Sequence, residues 1–90
     1  MLVINDNYLA EAMRMFTLLP PINITDKADN FVVDKNGAKP TLVHEGDNEY
    51  VVMWVDDEFC SIKDFEADNP GKAITIAYNW CIENKLININ

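Results

Sequence analysis

The sequence contains few of the residues on which metal centres, disulfide scaffolds and hydrolytic sites depend. Its 90 residues include two cysteines, Cys60 and Cys81, one histidine, His44, and one serine, Ser61. Two cysteines without C-x-x-C spacing predict no disulfide framework, and their apolar neighbours predict reduced, buried side chains. Zinc requires three or four clustered ligands, so we predict neither a metal nor a cofactor.

Basic residues are also scarce, because seven Lys+Arg against 15 Asp+Glu give a net charge of −8. Such a chain repels nucleic-acid phosphates and anionic membrane surfaces, so we predict direct binding to neither. No apolar run approaches the ~20 residues that cross a bilayer. Residues 1–4 lack the basic segment of a signal peptide, so we expect a cytoplasmic protein.

Apolar residues are plentiful by contrast. Hydrophobic residues make up 49% of the sequence, and Phe, Trp and Tyr number 4, 2 and 3. A chain of 90 residues builds one core, so we predict a single domain over 1–90. We expect this domain to fold unaided or as a small oligomer.

The run Tyr-Val-Val-Met-Trp-Val at 50–55 has no polar residue. In a strand, Val52 and Trp54 point to one face, and Val51 and Met53 point to the other. A strand with one wet face would alternate apolar and polar residues. This strand is therefore predicted at the centre of a layered domain, with both of its faces covered.

Helices are predicted on either side of the strands. Apolar residues at helical spacing, followed by a Pro-Pro pair, predict the first helix over 6–19. Asn69 as the N-cap and Pro70 at the first helical position predict the second over 70–85. Residues 86–90 alternate, and they either add a short last strand or trail.

Further strands are predicted at 22–25, 31–35, 41–44 and 59–63. Between the second and third of these, Asn36-Gly37 predicts a type I′ hairpin with Asp34 opposite Lys39. Pro40 places the return strand at an edge or after a bulge. Turns are predicted at 46–48 and at 56–57.

Together these elements predict an α+β domain. About four mainly antiparallel strands surround residues 49–56, and an N-terminal and a C-terminal helix pack on the sheet. If the helices lie on opposite faces, both faces of the central strand are covered. If both helices pack on one face, the other must be covered by self-association, and a homodimer follows.

The acidic residues fall into three groups in turns and at strand ends: Glu45, Asp47 and Glu49; Asp56, Asp57 and Glu58; Asp64, Glu66 and Asp68. We expect the first and third groups to share one negative edge and the second to lie at the opposite end. One interpretation is ordinary solubilising charge. The other is an acidic face that docks on a basic surface of another protein, including surfaces that normally hold nucleic acid.

His44 and Cys60 support an alternative, because a Cys–His pair across neighbouring strands would make a small enzyme. A lone histidine near a hairpin is more often structural or simply exposed. We therefore favour an interaction protein without catalytic residues. A structural or assembly subunit is a third hypothesis.

A resemblance to a known group lies in the C-terminal segment. Asp68-Asn69-Pro70, Ala73, Ile74 and Asn84-Lys85-Leu86-Ile87 resemble the ending of small phage-encoded proteins with an α-β-α sandwich layout. About 20 residues carry the resemblance, which rests on common capping and core residue types. The group is largely unassigned in function and implies no catalytic residue. It implies an accessory gene of a mobile element, where small acidic proteins inhibit or regulate host proteins.

Overall fold

The structure, a computed structural model, describes the backbone of residues 6–87 and the side chains of residues 10–87. The elements in chain order are α1 (Asp6–Thr17), β1 (Ile22–Ile24), β2 (Phe31–Val33), β3 (Lys39–Gly46), β4 (Glu49–Val55), β5 (Ser61–Ala67) and α2 (Pro70–Glu83). The α+β class and the two helices are confirmed.

The strands form two antiparallel sheets rather than one sheet of four strands. A three-stranded sheet has the order β3-β4-β5, so β4 is central as predicted. β1 pairs with β2 in a separate ribbon, and Ile22 also forms an isolated bridge with Ala38. The chain after β2 thus passes along β1 before β3 begins, which prevents β2 from pairing with β3.

The predicted type I′ hairpin at Asn36-Gly37 is wrong. Gly37 donates its N–H to the carbonyl of Asp34, and the Asp34 carboxylate accepts the N–H of Asn36, so the chain turns without positive φ at either central residue. A Cβ at Gly37 would lie 2.4 Å from the carbonyl oxygen of Ile22. Glycine is therefore required here for close backbone approach. The predicted pairing of Asp34 with Lys39 does not form.

α2 packs on one face of the three-stranded sheet, against β4 and β5, and α1 packs against α2. Val52 and Trp54 of β4 share one buried cluster with Ala12 of α1 and with Ala73 and Ala77 of α2. The Trp54 indole also donates a 2.9 Å hydrogen bond to the carbonyl of Pro20, in the link between α1 and β1. Of the two arrangements left open by the sequence, the structure has the one in which the two helices lie on one side of the sheet.

Aromatic rings fill the space between the sheet and α2. Trp80 lies 5.1 Å from Phe31, 5.8 Å from Trp54 and 5.5 Å from Phe65, measured between ring centroids. Lys63 places its ammonium 5.4 Å from the ring centroids of both Phe65 and Trp80. This cation–π contact stabilises the Lys63 ammonium on the otherwise apolar sheet face that meets α2.

The ends of α2 follow the sequence closely. The Asn69 side chain accepts the N–H of Lys72 at 2.8 Å, and Pro70 occupies the first turn, as predicted. The helix ends at Glu83 rather than at 85, because Lys85 adopts a left-handed conformation with φ 60°. Lys85 and Leu86 then return their N–H groups to the last turn in a Schellman motif.

The end of α1 and the C-terminal tail also differ from the prediction. α1 ends at Thr17, and Leu18 and Leu19 close its last turn with hydrogen bonds to the carbonyls of Met15 and Phe16. Leu86 and Ile87 form no strand. The rest of the tail predicted at 86–90 lies outside the described residues.

No described helix covers the second face of the three-stranded sheet, and we name this surface the open face. The strand registers place on it the side chains of Lys39, Thr41, Val43, Glu49, Val51, Met53, Val55, Ser61, Asp64 and Glu66. Val51 is buried among its neighbours at 5% exposure, whereas Met53 and Val55 are half-buried. The polar members lie on the edge strands and at the start of β4, and the rest of β4 on this face is apolar.

Candidate functional site

Five acidic residues lie at one end of the three-stranded sheet. The register pairs Gly46 with Glu49 and Tyr50 with Ala67, so the β3–β4 turn and the end of β5 are neighbours. This end carries exposed carboxylates from two of the three acidic groups, namely Glu45, Asp47, Glu49, Glu66 and Asp68. Asp64 lies nearer the middle of β5, on the open face.

Among these carboxylates, Asp68 forms an ion pair with a lysine of α2. Its oxygen lies 3.2 Å from the Lys72 ammonium, and both side chains are more than half exposed. An exposed i,i+4 pair of this kind contributes ~0.3–0.5 kcal/mol. The pair removes one negative charge from this end and leaves four acidic residues there.

The second acidic group forms the β4–β5 turn at the opposite end of the sheet. The Asp56 carboxylate accepts the N–H groups of Glu58 and Cys60, each at 2.9 Å. The main chain of Asp56 also bonds to Phe59 and Cys60 at 3.0 Å. Asp56 therefore fixes the turn from inside, while Asp57 and Glu58 are exposed.

Phe59 stands at the apex of this turn with its ring in solvent. Its exposure is 90%, the largest among the exposed large hydrophobic residues of the described chain. Its φ is 62°, in the left-handed region that a bulky side chain rarely adopts. A residue held in this region at a rigid turn points to a role outside the domain's own packing.

Sequence reasoning placed Phe59 in a strand over 59–63, and that prediction is wrong. β5 begins at Ser61 because Asp56 captures the N–H groups that a strand at 59 and 60 would use. The run Asp-Asp-Glu before Phe59 was the available signal. An aspartate that opens a loop commonly bonds to the backbone two residues later, which lengthens the turn.

A polar cleft of about 510 Å³ separates the β4–β5 turn from the turn after β2. Asp56 and Asp57 line one side, and Lys35 and Lys39 line the other. The lysines partly balance the acidic residues on this flank. Glu58 and Phe59 do not line this cleft and are exposed.

The structure does not bring His44 and Cys60 together. His44 lies beside Tyr50, with its ring stacked at 4.3 Å, whereas Cys60 adjoins the other end of β4. Tyr50 and Val55 are five residue steps apart along the strand, which separates these ends by ~17 Å. A Cys–His pair that shares one proton requires hydrogen-bond distance, so these two residues do not form one.

The two cysteines occupy opposite environments. Cys81 is fully buried in α2 as predicted, and burial raises the pKa of its thiol to about 12. Cys60 is exposed in the β4–β5 turn, which contradicts the prediction that it would be buried. The apolar neighbours of Cys60 in the sequence were misleading because Phe59 itself points into solvent.

No group of three His, Cys, Asp or Glu side chains among the described residues is arranged to hold a metal ion. Neither α1 nor α2 has the length and hydropathy needed to span a membrane.

Comparison of the chain with protein-family models, curated proteins and solved structures finds no match. Its function is therefore inferred from the surfaces described above.

Proposed function

We propose that this domain is a non-enzymatic protein-binding module that docks its β4–β5 turn on a basic protein surface. Phe59 enters an apolar pocket of the partner, and Asp57 and Glu58 face lysines or arginines around that pocket. The observation that carries the proposal is the 90% exposed ring of Phe59 on a turn fixed by hydrogen bonds.

The chemistry of the turn suits such a contact. The hydrogen bonds of the turn already hold the backbone that carries Phe59, so less backbone freedom is lost on binding, and aromatic anchors dominate many interfaces. The surrounding negative charge accelerates encounter with a basic partner and disfavours acidic ones. The net charge of −8 adds to this attraction over a longer range.

The partner class we propose is a protein with a basic groove, including grooves that normally hold nucleic acid. In that case the domain is an inhibitor or regulator that competes with the nucleic acid, as expected of an accessory protein from a phage or another mobile element. The low content of Lys and Arg also supports a protein partner, because it disfavours the nucleic acid itself as a ligand.

Affinity capture from a lysate of the host cell, with quantitative mass spectrometry, tests this proposal. The variants are Phe59→Ala and the charge reversal Asp57→Lys/Glu58→Lys. The matched control is Glu45→Lys/Asp47→Lys, which makes the same change in net charge at the opposite end of the sheet. Loss of a hot-spot side chain weakens an interface by ~2 kcal/mol or more, or about 30-fold.

We expect the wild type and the control to retain the same basic protein, and both β4–β5 turn variants to lose it. Retention should fall as salt is raised. Full retention by Phe59→Ala would contradict the proposed anchor. Equal loss in both charge-reversal variants would mean that net charge, rather than this turn, recruits the protein.

A further inference from the structure

The cleft between the turn after β2 and the β4–β5 turn has opposite charges on its two walls. Its volume is about 510 Å³, within the range of small-molecule sites. Lys35 and Lys39 line one wall, and Asp56 and Asp57 line the other. Two of the chain's seven basic residues therefore lie together here, although acidic residues number 15.

The lysines of the cleft are not neutralised by the protein itself. Neither Lys35 nor Lys39 forms an ion pair with a carboxylate of the described residues. Asp34, which precedes Lys35 in the chain, accepts hydrogen bonds from the Asn36 N–H at 2.9 Å and from the Asn23 amide at 3.1 Å. The Asp34 carboxylate is thus engaged within its own turn, and both ammonium groups are available to an external carboxylate.

Hydrogen bonds hold both walls of the cleft in place. On the lysine side, Ile22 and Ala38 exchange two backbone hydrogen bonds, of 2.8 and 2.9 Å. On the other side, Oδ1 of Asp56 accepts two N–H groups of its own turn. The walls are connected through β3 and β4, in which Lys39 lies opposite Val55. A site with walls that are already ordered requires little reorganisation when a ligand binds.

The two signs of charge limit the class of ligand. An anion would be attracted by the lysines and repelled by the carboxylates, and the reverse holds for a cation. The described residues offer no group arranged to hold a metal ion. A zwitterion can place its carboxylate beside one wall and its ammonium group beside the other, so it meets attraction at both ends.

We propose that this cleft binds a small zwitterion, either a free amino acid or a short peptide. The ligand carboxylate pairs with Lys35 and Lys39, and the ligand ammonium group pairs with Asp57. These three side chains are exposed, so each ion pair is weakened by solvent. The expected dissociation constant is therefore on the order of 1 mM. Binding in the cleft does not require the docking of Phe59 on a partner.

Amide NMR spectra of the full chain, titrated separately with glycylglycine and with glycine, test this proposal. The titrations are run at about pH 6.5, where α-amino groups are protonated. The amide signals of Lys35, Gly37 and Asp57 should shift and saturate, and the tighter of the two ligands shows whether the site prefers a peptide or an amino acid. N-acetylglycine lacks the ammonium group and glycinamide lacks the carboxylate, so each should bind about fivefold more weakly than the zwitterions.

Substitutions on the two walls test the assignment of the charges. Lys39→Gln and Asp57→Asn should each weaken zwitterion binding about two- to fivefold. The matched control is Lys27→Gln, which makes the same change as Lys39→Gln at an exposed lysine outside the cleft and should bind like the wild type. The same spectra show that each variant is folded.

Three results would overturn the proposal. Equal affinity for glycylglycine and N-acetylglycine would mean that the lysines attract any anion. Unchanged affinity in Lys39→Gln or Asp57→Asn would place the ligand elsewhere. Absence of a saturable shift at the cleft up to about 50 mM would mean that the cleft holds only solvent.

Discussion

Phe59→Gly is expected to stabilise the folded domain, although it removes a large aromatic side chain. The ring is 90% exposed, so its removal exposes almost no buried apolar area of the core. The backbone at this position has φ 62°, where a Cβ atom is strained and glycine is not. Phe59→Gly should therefore raise the free energy of unfolding and weaken binding to the partner.

The magnitude follows from two opposing effects. A left-handed conformation costs an L-residue ~1–2 kcal/mol, and glycine avoids that cost. Glycine also increases the freedom of the unfolded chain, which offsets ~0.5–1 kcal/mol of the gain. The net expectation is an increase of ~0.5–1 kcal/mol in the free energy of unfolding.

Urea unfolding followed by fluorescence provides the assay, because Trp54 is buried and Trp80 is half-buried in the native state. Phe59→Ala removes the ring but keeps the Cβ, so it should lie within ~0.5 kcal/mol of the wild type. A Phe59→Gly variant less stable than Phe59→Ala would refute the reasoning. It would mean that a Cβ is not strained in the backbone conformation at this position.

Lys85→Gly calibrates the same effect away from the proposed binding surface. Lys85 has φ 60° and occupies the position after the α2 cap where helices usually place glycine. Its N–H bonds to Ile82, and the next N–H, from Leu86, bonds to Cys81, which completes the motif. The gain here should match that of Phe59→Gly to within a few tenths of a kcal/mol, with no loss of partner capture.

The effects of two further substitutions and one pH dependence are predicted from contacts within the domain. Gly37→Ala should destabilise the domain by ~1–3 kcal/mol in urea unfolding, because the new Cβ would lie 2.4 Å from the Ile22 carbonyl oxygen. Trp54→Phe should lower the free energy of unfolding by ~2 kcal/mol, since the Pro20 carbonyl loses its 2.9 Å hydrogen bond. Above pH 9.0, where the unfolded thiol ionises, stability measured by urea unfolding should fall as the pH rises toward 12, because burial raises the pKa of folded Cys81 to about 12.

Each of these has a control. Gly46→Ala should be neutral or slightly stabilising, because its Cβ meets only the Glu49 side chain at 3.4 Å. Trp80→Phe should cost less than the same change at Trp54, since Trp80 is half-buried. Cys81→Ala should flatten the alkaline decline. In native protein Cys60 alone should react with a thiol reagent, and rapid labelling of both cysteines would contradict the burial of Cys81.

The central strand and both helices were predictable because their signals are local. Six consecutive apolar residues cannot occupy an edge with a wet face, so β4 had to be central. Asn69 and Pro70 fix the start of α2 through backbone groups within one turn. The acidic residues at strand ends could likewise be located from the order of strands and turns.

The strand pairing and the exposed phenylalanine depended on contacts between distant segments. Asn36-Gly37 has the composition of a hairpin turn, yet the bridge between Ile22 and Ala38 draws the chain along β1 instead. Nothing in the sequence around Gly37 indicates that Ala38 pairs with Ile22. Phe59 likewise matches a strand pattern, and two hydrogen bonds to the Asp56 carboxylate override it.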